Sequence, residues 1–244
     1  MVSNILKDKV ALVTGSSRGI GRAAALELAR SGASVIINYN SNKAAAESVL
    51  VDINSSGGKA SVIQADVSEP KQVERLVKES TRIFGDISIL VNNAGIAKIQ
   101  PFEEVTESDW DEIIKVNLKS VFMMTRAVLP AMRKRRFGRI VNISSAAAHT
   151  GGLVSPQYTA SKAGIIGLTR YYANALVKEG ITVNAVAPGL IDTDILNNTA
   201  FDPKRIPMER FGNVDEVASA VLFLVQNGFV TGQTVNVNGG LYYR

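Results

Sequence analysis

The 244-residue chain contains no cysteine and a single histidine, and aromatic residues make up only 6% of it. Without cysteine there is no disulfide, no Cys-ligated zinc or iron–sulfur cluster and no thiolate nucleophile. With His149 as the lone histidine, no His pair or carboxylate cluster has metal-ligand spacing, so no catalytic metal is expected. Long apolar runs are also missing: Val217 to Val225, interrupted by Ser219, falls far short of the ~20 residues that a membrane-spanning helix needs. The opening residues carry Lys7, Asp8 and Lys9 with no long apolar segment after them, so a cytoplasmic protein is expected.

Charge of one sign is in mild excess, with 27 Lys and Arg against 22 Asp and Glu, a net of +5. Such an excess suits a phosphate-bearing small molecule and gives little reason to expect nucleic acid or a membrane surface as partner. Much of it sits at Arg133, Lys134, Arg135 and Arg136, which read as a solvated helix end whose cations complement the helix dipole.

What the chain has in quantity is short β-branched runs: VALVT, SVIIN, SVIQA, ISILVN, RIVNIS, ITVNAVA and QTVNVN. Most are apolar on both faces, the pattern of a buried parallel sheet. Between them, helical periodicity predicts helices over about residues 19–31, 42–56, 70–84, 107–136, 157–179 and 214–227, with Ser68 and Thr106 as candidate caps. Repeated βαβ units require right-handed crossovers, which place helices on both faces of one sheet. The expectation is a single α/β domain over 1–244, a doubly wound Rossmann-type fold with a seven-stranded, mostly parallel sheet. Residues 190–213 have the weakest periodicity and are the candidate substrate loop.

At the first strand-to-helix junction stands Thr14-Gly15-Ser16-Ser17-Arg18-Gly19-Ile20-Gly21. Gly15 permits the tight bend, Gly19 lets backbone approach a diphosphate, and Gly21 lets helix pack on strand, leaving N–H groups of a helix N-terminus facing the anion. Ser17, Arg18 and Ile20 lie in the same candidate cofactor loop. Dinucleotide folds often carry an acid at the end of the second strand to accept the adenosine ribose hydroxyls. Here the segment reads Asn38-Tyr39-Asn40-Ser41. The missing carboxylate, with Arg18 able to pair with a 2′-phosphate, argues for NADP(H), with NAD(H) as the alternative.

Tyr158 and Lys162 stand four residues apart, on one face of a helix. A tyrosine is a poor acid or base near neutrality, and a nearby ammonium would draw its pKa down toward the working range. Taken together, YxxxK, TGxxxGxG from Thr14, Asn92-Asn93-Ala94-Gly95 and the Pro188-Gly189 turn make the chain resemble the short-chain dehydrogenases/reductases along essentially its whole length.

The resemblance implies a proton donor at Tyr158, a carbonyl-orienting serine at Ser145, and at Lys162 a group that binds the nicotinamide ribose. It also implies an asparagine, Asn117, that kinks its helix and holds water in a proton relay. Ser144 is the alternative serine. By the same resemblance Asp66 and Val67 contact adenine, Asn93, Ala94 and Gly95 support the adenosine side, and Ile191 and Thr193 meet the nicotinamide carboxamide. Asp66 could instead cap the following helix, and His149 is a candidate for the substrate pocket.

Within the family, RGIGRA, INYNSN, GRIVNISS and ITVNAVAPG are most similar to the 3-oxoacyl-(acyl-carrier-protein) reductase group. That implies a 3-oxoacyl thioester substrate, a homotetramer, and a docking surface for an acidic carrier protein around Arg136. A second basic docking position of that group is Glu179 here. Oxidation of a sugar, steroid or other secondary alcohol remains open, as does a non-catalytic dinucleotide-binding role.

Overall fold

The computed structural model describes residues 5–152, 154–194, 196 and 201–243. In chain order the elements are β1 (Val10–Val13), α1 (Gly19–Arg30), β2 (Ser34–Tyr39), α2 (Lys43–Ser55), β3 (Lys59–Gln64), α3 (Pro70–Phe84), β4 (Ile89–Asn92) and α4 (Glu107–Ile114). They continue with α5 (Ser120–Arg135), β5 (Gly138–Ile143), α6 (Ala147–Thr150), α7 (Pro156–Leu176), β6 (Ile181–Pro188), α8 (Val214–Gln226) and β7 (Thr234–Val237). The seven strands form one sheet in the order β3-β2-β1-β4-β5-β6-β7, and every neighbouring pair is parallel. The expected Rossmann-type sheet is present.

Strand alternation divides the core in two. Ala11, Val13, Val35, Ile37 and Val91 pack against Ala24, Ala25 and Leu28 of α1 and Val217, Val221 and Leu224 of α8. Leu12, Ile36, Leu90 and Ile140 face Val73 and Leu76 of α3, Met124, Val128 and Met132 of α5, and Leu176 of α7. The alanines on the buried side of α1 let that helix lie close to the sheet and to the turn before it.

Two helical expectations need correcting. The predicted helix over 107–136 is interrupted: α4 gives way at Lys115–Lys119 to a turn of π-helix before α5 begins. Its cause is polar, since buried Asn117 bonds to the chain after β4 rather than letting the α-helical ladder run on. The helix predicted over 157–179 stops at Leu176 and closes in a 3-10 turn over Val177–Glu179. Of the two caps, Thr106 forms a full capping box with Asp109. Ser68 caps nothing: the N-cap of α3 is Glu69, and Ser68 N donates to Asp66 Oδ1 at 2.8 Å.

No helix among the described residues is long and apolar enough to cross a membrane. The loop after β6 is partly described: Ile191 pairs with Gly212 in an isolated parallel bridge, and a 3-10 turn spans Pro203–Arg205. Positions 195 and 197–200 of the expected substrate loop lie outside the described residues.

Candidate active site

β1, β4, β5 and β6 all end on one edge of the sheet, and the chain leaves β1 toward β2 on one side and β4 toward β5 on the other. This reversal opens a crevice beyond the strand ends. The turn between β1 and α1 lies there, with Gly15 and Gly19 at φ +61° and +55°, a backbone region that L side chains seldom adopt. A Cβ at Gly21 would stand 2.4 Å from Asn93 Nδ2 and 2.5 Å from Gly15 O, so only glycine fits.

Polar groups from both neighbouring strands pin the turn. Asn93 Nδ2 donates to Thr14 O at 2.9 Å and Gly15 O at 3.0 Å, and Thr14 Oγ1 accepts from the backbone N–H groups of Asn93 and Ala94, each at 3.0 Å. From β2, Asn38 accepts from Gly15 N at its Oδ1 (3.2 Å) and from Ser16 N at its carbonyl (2.8 Å). Its amide nitrogen donates to Ala65 O at 3.0 Å. Asn38 is buried, so its side chain shapes the turn from beneath.

Arg18 is the N-cap of α1, its side chain makes no capping bond, and no acid occupies the first turn. A helix N-terminus, whose first N–H groups have no intrahelical acceptor, with a glycine approach and no acid in its first turn fits the diphosphate of a dinucleotide. Ser17 and Ile20 lie half-buried in this turn.

The second half of the crevice is built on β5 and α7. Asn92 Nδ2 donates to Asn142 Oδ1 at 2.8 Å, Asn142 Nδ2 to Thr169 Oγ1 at 2.9 Å, and Thr169 to Ile165 O at 2.8 Å. This buried polar chain fixes α7 against β4 and β5, and with it the α7 side chains that face the crevice. The sequence reading missed it, although polar residues inside otherwise apolar strands were the available signal.

Ser144 and Ser145 follow β5 but do different things. Ser144 is buried and donates to Lys162 O at 2.8 Å. Ser145 is half-buried, accepts from Ala147 N at 3.1 Å, and hydrogen-bonds the Tyr158 hydroxyl. Lys162 Nζ donates to Ile143 O at 2.9 Å and lies 5.7 Å from the Tyr158 ring centroid. Asn117, in the π turn, accepts from Ile96 N at 2.8 Å and donates to Ile96 O at 2.9 Å and Ser161 Oγ at 3.2 Å. A Cβ at Gly95 would lie 3.2 Å from Asn117 Oδ1 and 3.5 Å from Lys162 Nζ, so these groups converge on the chain after β4.

The electrostatics correct the expectation for the tyrosine. Burial raises the Tyr158 pKa, and the Ser145 hydrogen bond opposes this. Burial also lowers Lys162 itself to about 8. The reason is geometric: the ammonium is turned to the Ile143 carbonyl and is itself short of water, so desolvation governs both groups.

The remaining candidates are distributed along the same edge. Asp66 is not the cap of α3, whose N-cap is Glu69; its Oδ1 accepts from Ser68 N and its own N–H donates to Gln72 Oε1 at 2.9 Å, and Val67 beside it is buried. Pro188 closes β6, Gly189 N donates to Val237 O at 2.8 Å, and Ile191 is buried. Thr193 Oγ1 donates to Ile191 O at 3.2 Å, and a Cβ on Gly19 would stand 3.6 Å from the Thr193 methyl. His149 packs its ring on Tyr242, centroids 4.8 Å apart.

At the far end of α5, Arg133 forms a two-pronged pair with Glu179 (2.8 and 3.2 Å), Arg135 meets Asp86 at 3.1 Å, and Arg136 donates to Lys178 O at 2.7 Å. Three of the four cations of the cluster, Arg133, Arg135 and Arg136, therefore already have partners within the chain.

The short chain dehydrogenase family profile matches residues 9–203. The chain is 43% identical over 242 residues to the 3-oxoacyl-(acyl-carrier-protein) reductase of Staphylococcus epidermidis, covering 96% of this chain and 99% of that protein. It is 41% identical over 244 residues to the enzyme of the same name from Haemophilus influenzae, covering 97% and 99%. Among solved structures, a putative gluconate dehydrogenase from Agrobacterium tumefaciens superposes with a TM-score of 0.91 at 35% identity, covering 97% of this chain and 96% of that one. With the parallel sheet, the glycine turn and the Ser-Tyr-Lys crevice in place, the chain belongs to the short-chain dehydrogenase family, oxidoreductases that use a nicotinamide dinucleotide.

Proposed function

We propose that the chain is an NADPH-dependent reductase of 3-oxoacyl thioesters. The observation that carries this reading is the convergence of Ser145, Tyr158, Lys162 and Asn117 beside the glycine turn. Relatives named for this reaction, at 41–43% identity along nearly the whole chain, supply the substrate class.

A reduced nicotinamide, if bound in this crevice, would supply the hydride that the carbonyl carbon takes up. Tyr158 gives its hydroxyl proton to the carbonyl oxygen, and its raised pKa keeps it protonated, as a donor must be, near neutral pH. Ser145 hydrogen-bonds that oxygen and fixes its position as negative charge develops. Lys162 holds the nicotinamide ribose and balances the charge left on Tyr158 when its proton departs. Asn117 positions the route by which a proton from solvent passes by way of Lys162 to replace the one Tyr158 has given up.

For the nucleotide, Gly15, Ser17, Arg18, Gly19, Ile20 and Gly21 are the groups proposed at the phosphates. Asp66, Val67 and Asn93 to Gly95 lie toward adenosine, and Pro188, Gly189, Ile191 and Thr193 toward the nicotinamide. Asn38 acts through the turn it holds. NADP(H) preference is supported by Arg18 and by the absence of an acid over Asn38 to Ser41. A carrier-protein partner docking near Arg136, a cytoplasmic location and a homotetramer belong to the same reading. The last is supported by the exposed Trp110 on α4, Phe122 on α5 and Tyr171 on α7.

The test is the initial rate of cofactor oxidation with acetoacetyl thioester, with NADPH and NADH in parallel, on the parent and Tyr158→Phe. NADPH-selective turnover abolished by the substitution supports the reading. No turnover despite NADPH binding rejects the thioester and favours oxidation of a polyol or sugar acid, the reading suggested by the likeness to a putative gluconate dehydrogenase.

A further inference from the structure

The glycine turn and the chain after β6 are tied together by charge. Arg18 NH1 meets Asp194 Oδ2 at 3.0 Å, joining residues 176 apart in sequence. Both side chains are largely in water, 73% and 60% exposed, so the pair is weak and exchangeable. It is placed by backbone on both sides: Arg18 caps α1, and Asp194 follows Thr193, whose methyl packs near Gly19. Asp192 N, bonded to Gly212 O at 2.9 Å, anchors the start of that segment.

Resting on the NADP(H) reading of Arg18, we infer that Asp194 is a specificity-determining residue, an internal carboxylate that competes with the cofactor's 2′-phosphate for the Arg18 guanidinium. Asp194 engages NH1 alone and leaves the other guanidinium donors open, so the competition lies in the direction in which the long Arg18 side chain is held rather than in donor number. The 2′-phosphate belongs at the end of β2, whereas Asp194 holds Arg18 toward the chain after β6. Arg18 must therefore leave Asp194 before it can meet the phosphate. A dinucleotide without that phosphate makes no such demand and leaves the pair closed. NADPH binding thus releases the segment at Asp194 from the glycine turn, and NADH binding does not.

The experiment is a titration of NADPH and of NADH, followed by nucleotide fluorescence at low ionic strength, on the parent, Asp194→Asn, Arg18→Ala and the double variant. Removing the competitor should tighten NADPH by about two- to fivefold, the span of an exposed ion pair, and leave NADH unchanged. In the Arg18→Ala background the Asp194→Asn change should have no effect on either nucleotide. Unchanged NADPH affinity in Asp194→Asn, or equal tightening of both nucleotides, overturns the inference while Arg18→Ala still weakens NADPH. If Arg18→Ala leaves NADPH binding intact, the assignment of Arg18 to the 2′-phosphate fails, a different signature from failure of the competition alone.

Discussion

Both backbone polar groups of Ile96 are satisfied by one side chain: Asn117 Oδ1 accepts from Ile96 N and Asn117 Nδ2 donates to Ile96 O. A carboxamide is the only side-chain group of this size that both donates and accepts from one plane. Replacing Asn117 by Leu leaves Ile96 N, Ile96 O and Ser161 Oγ with lost partners. The expected outcome is a loss on the order of 3 kcal/mol in urea unfolding. Asn117→Asp keeps the acceptor and loses the donors, so its turnover should fall at least about tenfold while NADPH still binds.

The two serines after β5 should separate cleanly. Ser145→Ala removes the hydrogen bond to Tyr158 and should lower kcat by ~10²-fold or more, with little change in thermal midpoint. Ser144→Ala removes the bond to Lys162 O and should cost about 1 kcal/mol in stability with most activity kept. Steady-state kinetics and thermal melts on the two variants decide the assignment.

Lys162 gives a pH signature in stability. Its pKa is about 8 in the folded chain against 10.5 when exposed. Below pH 8 both states carry the proton; between about 8 and 10.5 the unfolded chain holds more, so this group makes folding more favourable as pH rises. Over that window its contribution is about 3 kcal/mol. Burial of Tyr158 acts in the opposite direction at the alkaline end, so the rise is clearest from pH 8 to 10. Denaturant midpoints of Lys162→Met should lack it.

A methyl group at Gly21 collides with Gly15 O and Asn93 Nδ2. Gly21→Ala must push α1 away from the turn, at about 1–3 kcal/mol, and widen the phosphate cradle. NADPH affinity should fall more than stability does, which calorimetric titration and melting of one sample will register.

Glu179 occupies Arg133 in a two-pronged pair at the end of α5. Glu179→Lys frees that guanidinium and adds a second cation. If an acidic carrier docks here, the KM for a carrier-linked substrate should drop several-fold while that for a coenzyme A thioester moves less. Equal changes for both would remove the docking site from this surface.

Strands of the buried sheet were legible because their two faces are both apolar, and Tyr158 and Lys162 because a four-residue spacing puts them on one helix face. Most helix boundaries follow from periodicity and caps. Three features were not legible. The break at Lys115–Lys119 depends on a bond from Asn117 to Ile96, a partner distant in sequence. The chain Asn92–Asn142–Thr169 depends on strand register, which periodicity does not contain. The pKa directions of Tyr158 and Lys162 depend on how much water each retains, and spacing reports proximity but not desolvation.

The π turn between α4 and α5 also sets a phase. Each residue of an α-helix advances the side-chain direction by about 100°, and one extra residue in a turn shifts everything beyond it by that angle relative to an unbroken helix. Ile113 before the turn and Ser120, Val121 and Met124 after it are all buried, with Asn117 between them. Deleting one residue from Lys115–Lys119 would restore a regular ladder at the cost of rotating one helix against the other. Either the apolar stripe of α5 would leave the sheet or α4 would swing its capping box and Trp110 to a new azimuth. The same register that seats the helix in the core therefore aims Asn117 into the crevice.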